Sequence, residues 1–187
     1  MPIVINGSGS ITGISAGGLP DGIIQAADLA SGVGGKILQH QIVSKTNTTS
    51  TTSSSVVEIS SDFRITMTPT ASNTIIVCHA ELVFGDNAGY THAIRILRNT
   101  ASDFSGTGTD FMSPDSYNND TDGHVAHYDA GGGISPIAAR AFETSGNTTA
   151  RTYSIQWAAS GGTLYLNRYT SSNYQCVSTF SVTEVAA

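Results

Sequence analysis

Residues 73–84 read NTIIVCHAELVF. From Ile76 onward every second residue is apolar: Ile76, Cys78, Ala80, Leu82 and Phe84. The positions between them include His79 and Glu81. Successive side chains of a strand point to opposite faces. A period of two with one unbroken apolar face therefore predicts a strand that packs on a core and turns its other face to water.

The same period recurs along the chain. KILQHQIV (36–43) reads as a first strand. RITMT (64–68) puts Ile65 and Met67 on one face and Arg64, Thr66 and Thr68 on the other. THAIRILRN (91–99) buries Ile94 and Ile96 and exposes Arg95. RTYSIQW (151–157) aligns Tyr153, Ile155 and Trp157, and TLYLNRY (163–169) aligns Leu164 and Leu166. QCVSTFSVTEV (175–185) aligns Cys176, Phe180 and Val182. Turn-forming clusters such as SGNTTA (145–150) and ASGGT (159–163) separate these runs, and NTTSTTSSS (47–55) reads as a polar loop. Many short alternating strands divided by such clusters predict an all-β fold, an antiparallel β-sandwich of the jelly-roll or C1q-like kind over residues 36–187. Asn99–Gly133 is polar, glycine-rich and dotted with aromatics, and is expected to be a long surface loop. Loops carried on a rigid scaffold often recognise ligands, which makes Phe104, Phe111, Tyr117 and Tyr128 a candidate recognition set.

Composition narrows the function. Of 187 residues only 12% are charged, and the net charge is −6 with eight Lys and Arg. Those cations stand singly, whereas nucleic-acid binding needs them clustered against phosphates. No run is long and apolar enough to insert in a membrane. MPIVINGSGS lacks the basic and apolar regions of a signal peptide, so synthesis in the cytosol is expected. Cys78 and Cys176 both fall in apolar strand patterns and are expected as buried free thiols.

No catalytic, cofactor or metal motif emerges. DTDGH (120–124) has an Asp-rich turn but not the remaining oxygen ligands or distal Glu of a calcium loop. His124, His127 and Asp129 have no further His or Cys close in sequence, and a loop of solvated side chains accounts for them. There is no G-x-S-x-G elbow, so His79 and Glu81 read as a solvated strand face. Asp110, Asp115, Asp120 and Asp122 lie in one loop, which argues against the opposed acids of a glycan hydrolase.

Residues 1–35 differ from the rest. PIVIN has strand character, and nine glycines follow between Gly7 and Gly35. Glycine at that density is entropically costly to order, and Asp21–Ala30 is too short for a stable lone helix. An arm that attaches to something else is expected, with Ile14, Leu19, Ile23, Ile24 and Leu29 as its partner-binding anchors.

INGSGSITGISAGGLPDGIIQAADLA (5–30) resembles the start of a group of short virion proteins of tailed bacteriophages, which open with a strand, NGSG, a GGLPDG turn and a D-x-LA ending. TLYLNRYT and the closing STFSVTEVAA are similar to the terminal strands of phage fibre-tip and C1q-like domains. The resemblance covers both ends of the chain and leaves 99–133 unmatched. It implies a homotrimer of small sandwiches attached through their amino-terminal arms and carried on a virion. The partner would be the major capsid protein, for a decoration or cement protein, or a tail or baseplate protein, for a fibre component that binds a host receptor. An arm of about 35 residues cannot by itself serve as a fibre shaft, which favours decoration.

Overall fold

A computed structural model describes residues 36–87, 91–100, 109–110, 127–128, 133–169 and 176–187. Twelve strands fall within them: β1 (Ile37–Lys45), β2 (Thr49–Thr51), β3 (Val57–Glu58), β4 (Ile65–Met67), β5 (Ile75–Asp86), β6 (Thr91–Asn99), β7 (Thr109–Asp110), β8 (His127–Tyr128), β9 (Ile134–Thr144), β10 (Arg151–Ala159), β11 (Leu164–Leu166) and β12 (Ser178–Val185). A 3-10 turn spans Ser61–Phe63. The protein is an antiparallel β-sandwich, as the alternation predicts.

The long strand β5 organises the first sheet. β9 pairs with one edge from Ile75 to Gly85. β12 takes the other edge over Ile75–Glu81 and β11 continues it over Phe84–Asp86. β1 lies outside β12 and β2 outside β11. The sheet thus has four strand lines, two of them broken at the same level. In the second sheet β10 pairs with β6 on one edge and with β4 and β3 on the other. β7 and β8 add to the far edge of β6.

The inward faces share one core. Ile76, Cys78, Ala80, Leu82 and Phe84 of β5 are all buried, and so are Ile94, Ile96, Tyr153, Ile155 and Trp157 from the opposite sheet. Phe84 and Trp157 meet across the gap with ring centroids 5.8 Å apart. Side chains of β1 close one side of the sandwich. Gln39 and Gln41 donate to the carbonyls of Thr68 and Thr66 at 2.7 and 3.1 Å, and Lys45 Nζ reaches Asp62 Oδ2 at 2.7 Å.

Several expectations need correction. The 47–55 segment is not all loop, because Thr49–Thr51 forms β2. Nor is 99–133, because Thr109–Asp110 and His127–Tyr128 pair with β6. Cys176 precedes β12 and is only half-buried. Arg95 is half-buried, with Nε donating to Gln156 Oε1 at 2.8 Å. Strand β9 had no counterpart in the sequence reading. The amino-terminal segment 1–35 lies outside the described residues.

Gly85 sits in close packing against backbone. A Cβ there would lie 2.4 Å from the carbonyl oxygen of Arg168 and 3.1 Å from that of Gly133. Both obstacles are backbone, so neither can swing aside. Gly85→Ala is expected to lower stability by about 2–3 kcal/mol, read from urea unfolding midpoints. An unchanged midpoint would show that the backbone near Arg168 moves freely.

Candidate functional site

The sequence candidates fall on different parts of the chain. Ile14, Leu19, Ile23, Ile24 and Leu29 lie outside the described residues, as do Phe104, Phe111 and Tyr117. Tyr128 belongs to β8, where its backbone pairs with Thr91. Asp120–His124 and Asp129 also lie outside, while His127 pairs with His92. Among the described residues, no three of His, Cys, Asp and Glu gather as a metal site would require.

Two carboxylates flank Ile76 on the inward face: Glu184 of β12, buried, and Glu143 of β9, half-buried. Glu184 is fully buried, and among the described residues no cation pairs with it. It accepts from the Thr70 amide at 2.7 Å, the Thr70 hydroxyl at 2.9 Å, Thr74 at 2.7 Å and Gln39 at 2.6 Å. Burial pushes its carboxyl up, but these donors outweigh burial and hold it below the usual carboxylate range. Glu143 is paired instead. Arg98 reaches it at 2.5 Å and Arg151 at 3.1 Å, and the Tyr153 hydroxyl donates at 2.7 Å. Those partners come from β6 and β10, so Glu143 ties the two sheets together. Burial first, and then the neighbouring Glu143, push Tyr153 far above the ordinary tyrosine range and Cys78 above the ordinary thiol range. Both side chains are neutral at physiological pH. These carboxylates have their lone pairs occupied by fixed donors, an arrangement that holds sheets together rather than moving protons.

Catalysis by a hydroxyl needs a base beside it and a group to orient that base. On the outer face of the first sheet His40 Nδ1 lies 2.8 Å from Thr183 Oγ1, but no carboxylate orients that ring among the described residues. His79 Nε2 is buried without a hydrogen-bond partner, and Glu81 Oε1 stands 3.8 Å away. Glu81 is 70% exposed, in keeping with a solvated strand face, while His79 is half-buried.

This outer face has the distinctive surface chemistry. Leu38, Ile42, Ile75 and Phe142 are large apolar side chains exposed on it, Phe142 to 77%. Over β5 and β9, beside Val177, lies an open groove of about 420 Å³, lined by Glu81, Val83, Pro136 and Ala138 among others. Large apolar side chains exposed on one sheet face are a feature of interaction surfaces. Sequence reasoning passed over it because β9 gives a weak signal. Its inward positions include Ala139, Ala141 and the charged Glu143, and Pro136 stands within the strand.

No protein-family model matches the chain, and no curated protein matches it. The chain has a distant similarity to solved structures of infectious bursal disease virus. The Gx strain structure matches with TM-score 0.38 and 13% identity, over 80% of this chain and 37% of that one. A crystal structure of the viral particle matches with TM-score 0.41 and 14% identity, over 80% of this chain and 36% of that one. A mutant VP2 protein in derived T=1 particles matches with TM-score 0.37 and 14% identity, over 80% of this chain and 36% of that one. The chain thus spans little more than a third of the length of these proteins.

The buried and half-buried carboxylates give stability a definite pH dependence. The folded-state values of Glu184 and Glu58 lie below the ordinary 4.5, Glu58 because Arg64 and Ser154 outweigh its burial. Their contribution is therefore complete above about pH 4.5 and is lost as pH falls through that value and the folded one. Glu184→Gln is expected to cost about 2–3 kcal/mol at pH 7. The cost should shrink as acid protonates the wild-type residue. Urea unfolding across a pH series checks this; parallel curves for the two proteins would rule it out.

Proposed function

We propose that the chain is a non-enzymatic structural protein of a virus particle. In this reading it is a homotrimeric decoration protein on the capsid of a tailed phage, attached through residues 1–35. The observation that carries it is the stretch from Ile5 to Ala30, which joins NGSG and GGLPDG to a closing DLA (28–30) shortly before the sandwich, where the group's pattern has one residue more between the Asp and the Leu. Leu19, Ile23, Ile24 and Leu29 stand there among glycines. Ordering such a segment costs about 1–2 kcal/mol of backbone entropy per residue. Contacts with subunits of a shell offset that cost only once the shell has formed. A protein that binds the assembled state alone stabilises it by mass action. A surface of hydroxyls and amides with 12% charged residues suits exposure on a released particle.

A second reading, a fibre component that binds a host surface, draws on the segment between β6 and β9. Its short strands β7 and β8 both pair along the edge of β6, so the intervening chain starts and returns at one sheet edge. Phe104, Phe111 and Tyr117 belong to this segment.

Copy number separates the two. Mass spectrometry of purified virions with labelled peptides is expected to give a ratio to the major capsid protein near that of a shell component. A ratio at the level of tail proteins would favour the fibre reading, and absence from virions would overturn both. Deleting residues 1–30 is expected to leave a folded domain that no longer binds particles. Undiminished binding by the truncated protein would remove the arm from the attachment.

A further inference from the structure

The outward face of β9 is complementary to itself about its middle. Pro136, Ala138, Arg140 and Phe142 all point away from the core and are exposed. Across the ladder, β5 places Val83 beside Pro136, Glu81 beside Ala138, His79 beside Arg140 and Val77 beside Phe142. The groove occupies one end of this double row and the exposed Phe142 ring the other. Between them stand one acid and one base. The Glu81 carboxylate meets only His79, at 3.8 Å, and Arg140 has no ion-pair partner among the described residues.

We infer that this face binds a second copy of the chain about a two-fold axis. The axis lies between the two faces, at right angles to β9 and level with Ala139. That operation sets residue 142 over residue 136 of the second copy, and residue 140 over residue 138. Neighbouring strands lie about 4.8 Å apart, so Phe142 enters the groove between Pro136 and Val83 of the second copy. Arg140 arrives above Ala138 and extends across one strand to Glu81. Both contacts repeat on the other side of the axis, as an isologous interface requires.

Charge decides the occupant. A partner that covered this face would take Glu81 and Arg140 out of water, which is unfavourable unless each meets an opposite charge in good geometry. A second copy supplies both at the required spacing. The contact is separate from the three-fold association proposed above. It joins chains of different trimers, or two free chains.

The test is the mass of the full chain in solution, measured by sedimentation across a concentration series. The wild type is expected to pass from a basic unit to assemblies joined in pairs as concentration rises. Phe142→Asp and Glu81→Arg should each weaken pairing by about tenfold or more. The double variant Glu81→Arg with Arg140→Glu should recover most of the wild-type pairing, because the swap restores opposite charges. All these side chains are exposed, so thermal unfolding should change little, and a variant that stays folded reports on the contact alone. A wild type that never pairs would overturn the inference. So would pairing indifferent to both single substitutions, or a double variant no better than Glu81→Arg. The mass of the basic unit, one chain or three, reports separately on the trimer.

Discussion

Asn167 fills the gap where two strand lines of the first sheet break at the same level. Its Nδ2 donates to the carbonyl of Lys45 at 2.6 Å and to that of Asn47 at 3.2 Å, across the break between β1 and β2. Its Oδ1 accepts from Ser178 Oγ at 2.6 Å, across the break between β11 and β12. Its amide donates to Val83 of β5 at 2.8 Å. One fully buried side chain thereby serves polar groups that a continuous ladder would have served. The residue adopts a positive φ of 61°, a conformation asparagine tolerates better than most, and the chain turns out of the sheet there. The close approach of the Arg168 carbonyl to Gly85 follows from this departure. The shared register of β11 and β12 on β5 depends on it as well.

One end of the sandwich interior is polar, and the rows next to it become apolar before Lys45, Ser178 and Asn167 bring polar groups in again. At one end Gln39, Glu184, Ile76 and Glu143 form a row across the first sheet. The next row holds Gln41, Val182, Cys78 and Ala141, and the one after it Val43, Phe180, Ala80 and Ala139. The sandwich end is therefore closed by two carboxylates rather than by aliphatic packing. Glu143 carries the inter-sheet attraction through Arg98 and Arg151. Glu184 gathers the connection between β4 and β5 through Thr70 and Thr74.

How legible this was depended on the kind of side chain facing the core. The buried face of β5, the Ile65 and Met67 pair, and Tyr153, Ile155 and Trp157 were plain because large apolar residues alternate there with polar ones. β9 was not, since alanines and a glutamate face its core side. β10 also hid part of its role. Thr152 and Ser154 are buried on its far face, where hydroxyls bond to Thr66 and Glu58, and polar residues of that kind read as solvent-facing. Buried Glu184 and Lys45 could not be recognised at all, because their partners are far along the chain. The outer face of the first sheet was hidden for the same reason: Glu81, Arg140 and Phe142 become neighbours only through the pairing of β5 with β9.

The first and last strands of the sandwich run side by side, with Ile37 opposite Val185. Both ends of the domain therefore leave from the same corner of the sheet. Tension applied between them loads the β1–β12 ladder one rung at a time, as in opening a zipper, and each rung resists alone. Tension from Ile37 to the far end of β12 loads all the rungs of that ladder together, in shear. The same domain is thus mechanically soft when pulled by its two ends and stiff when held across its length.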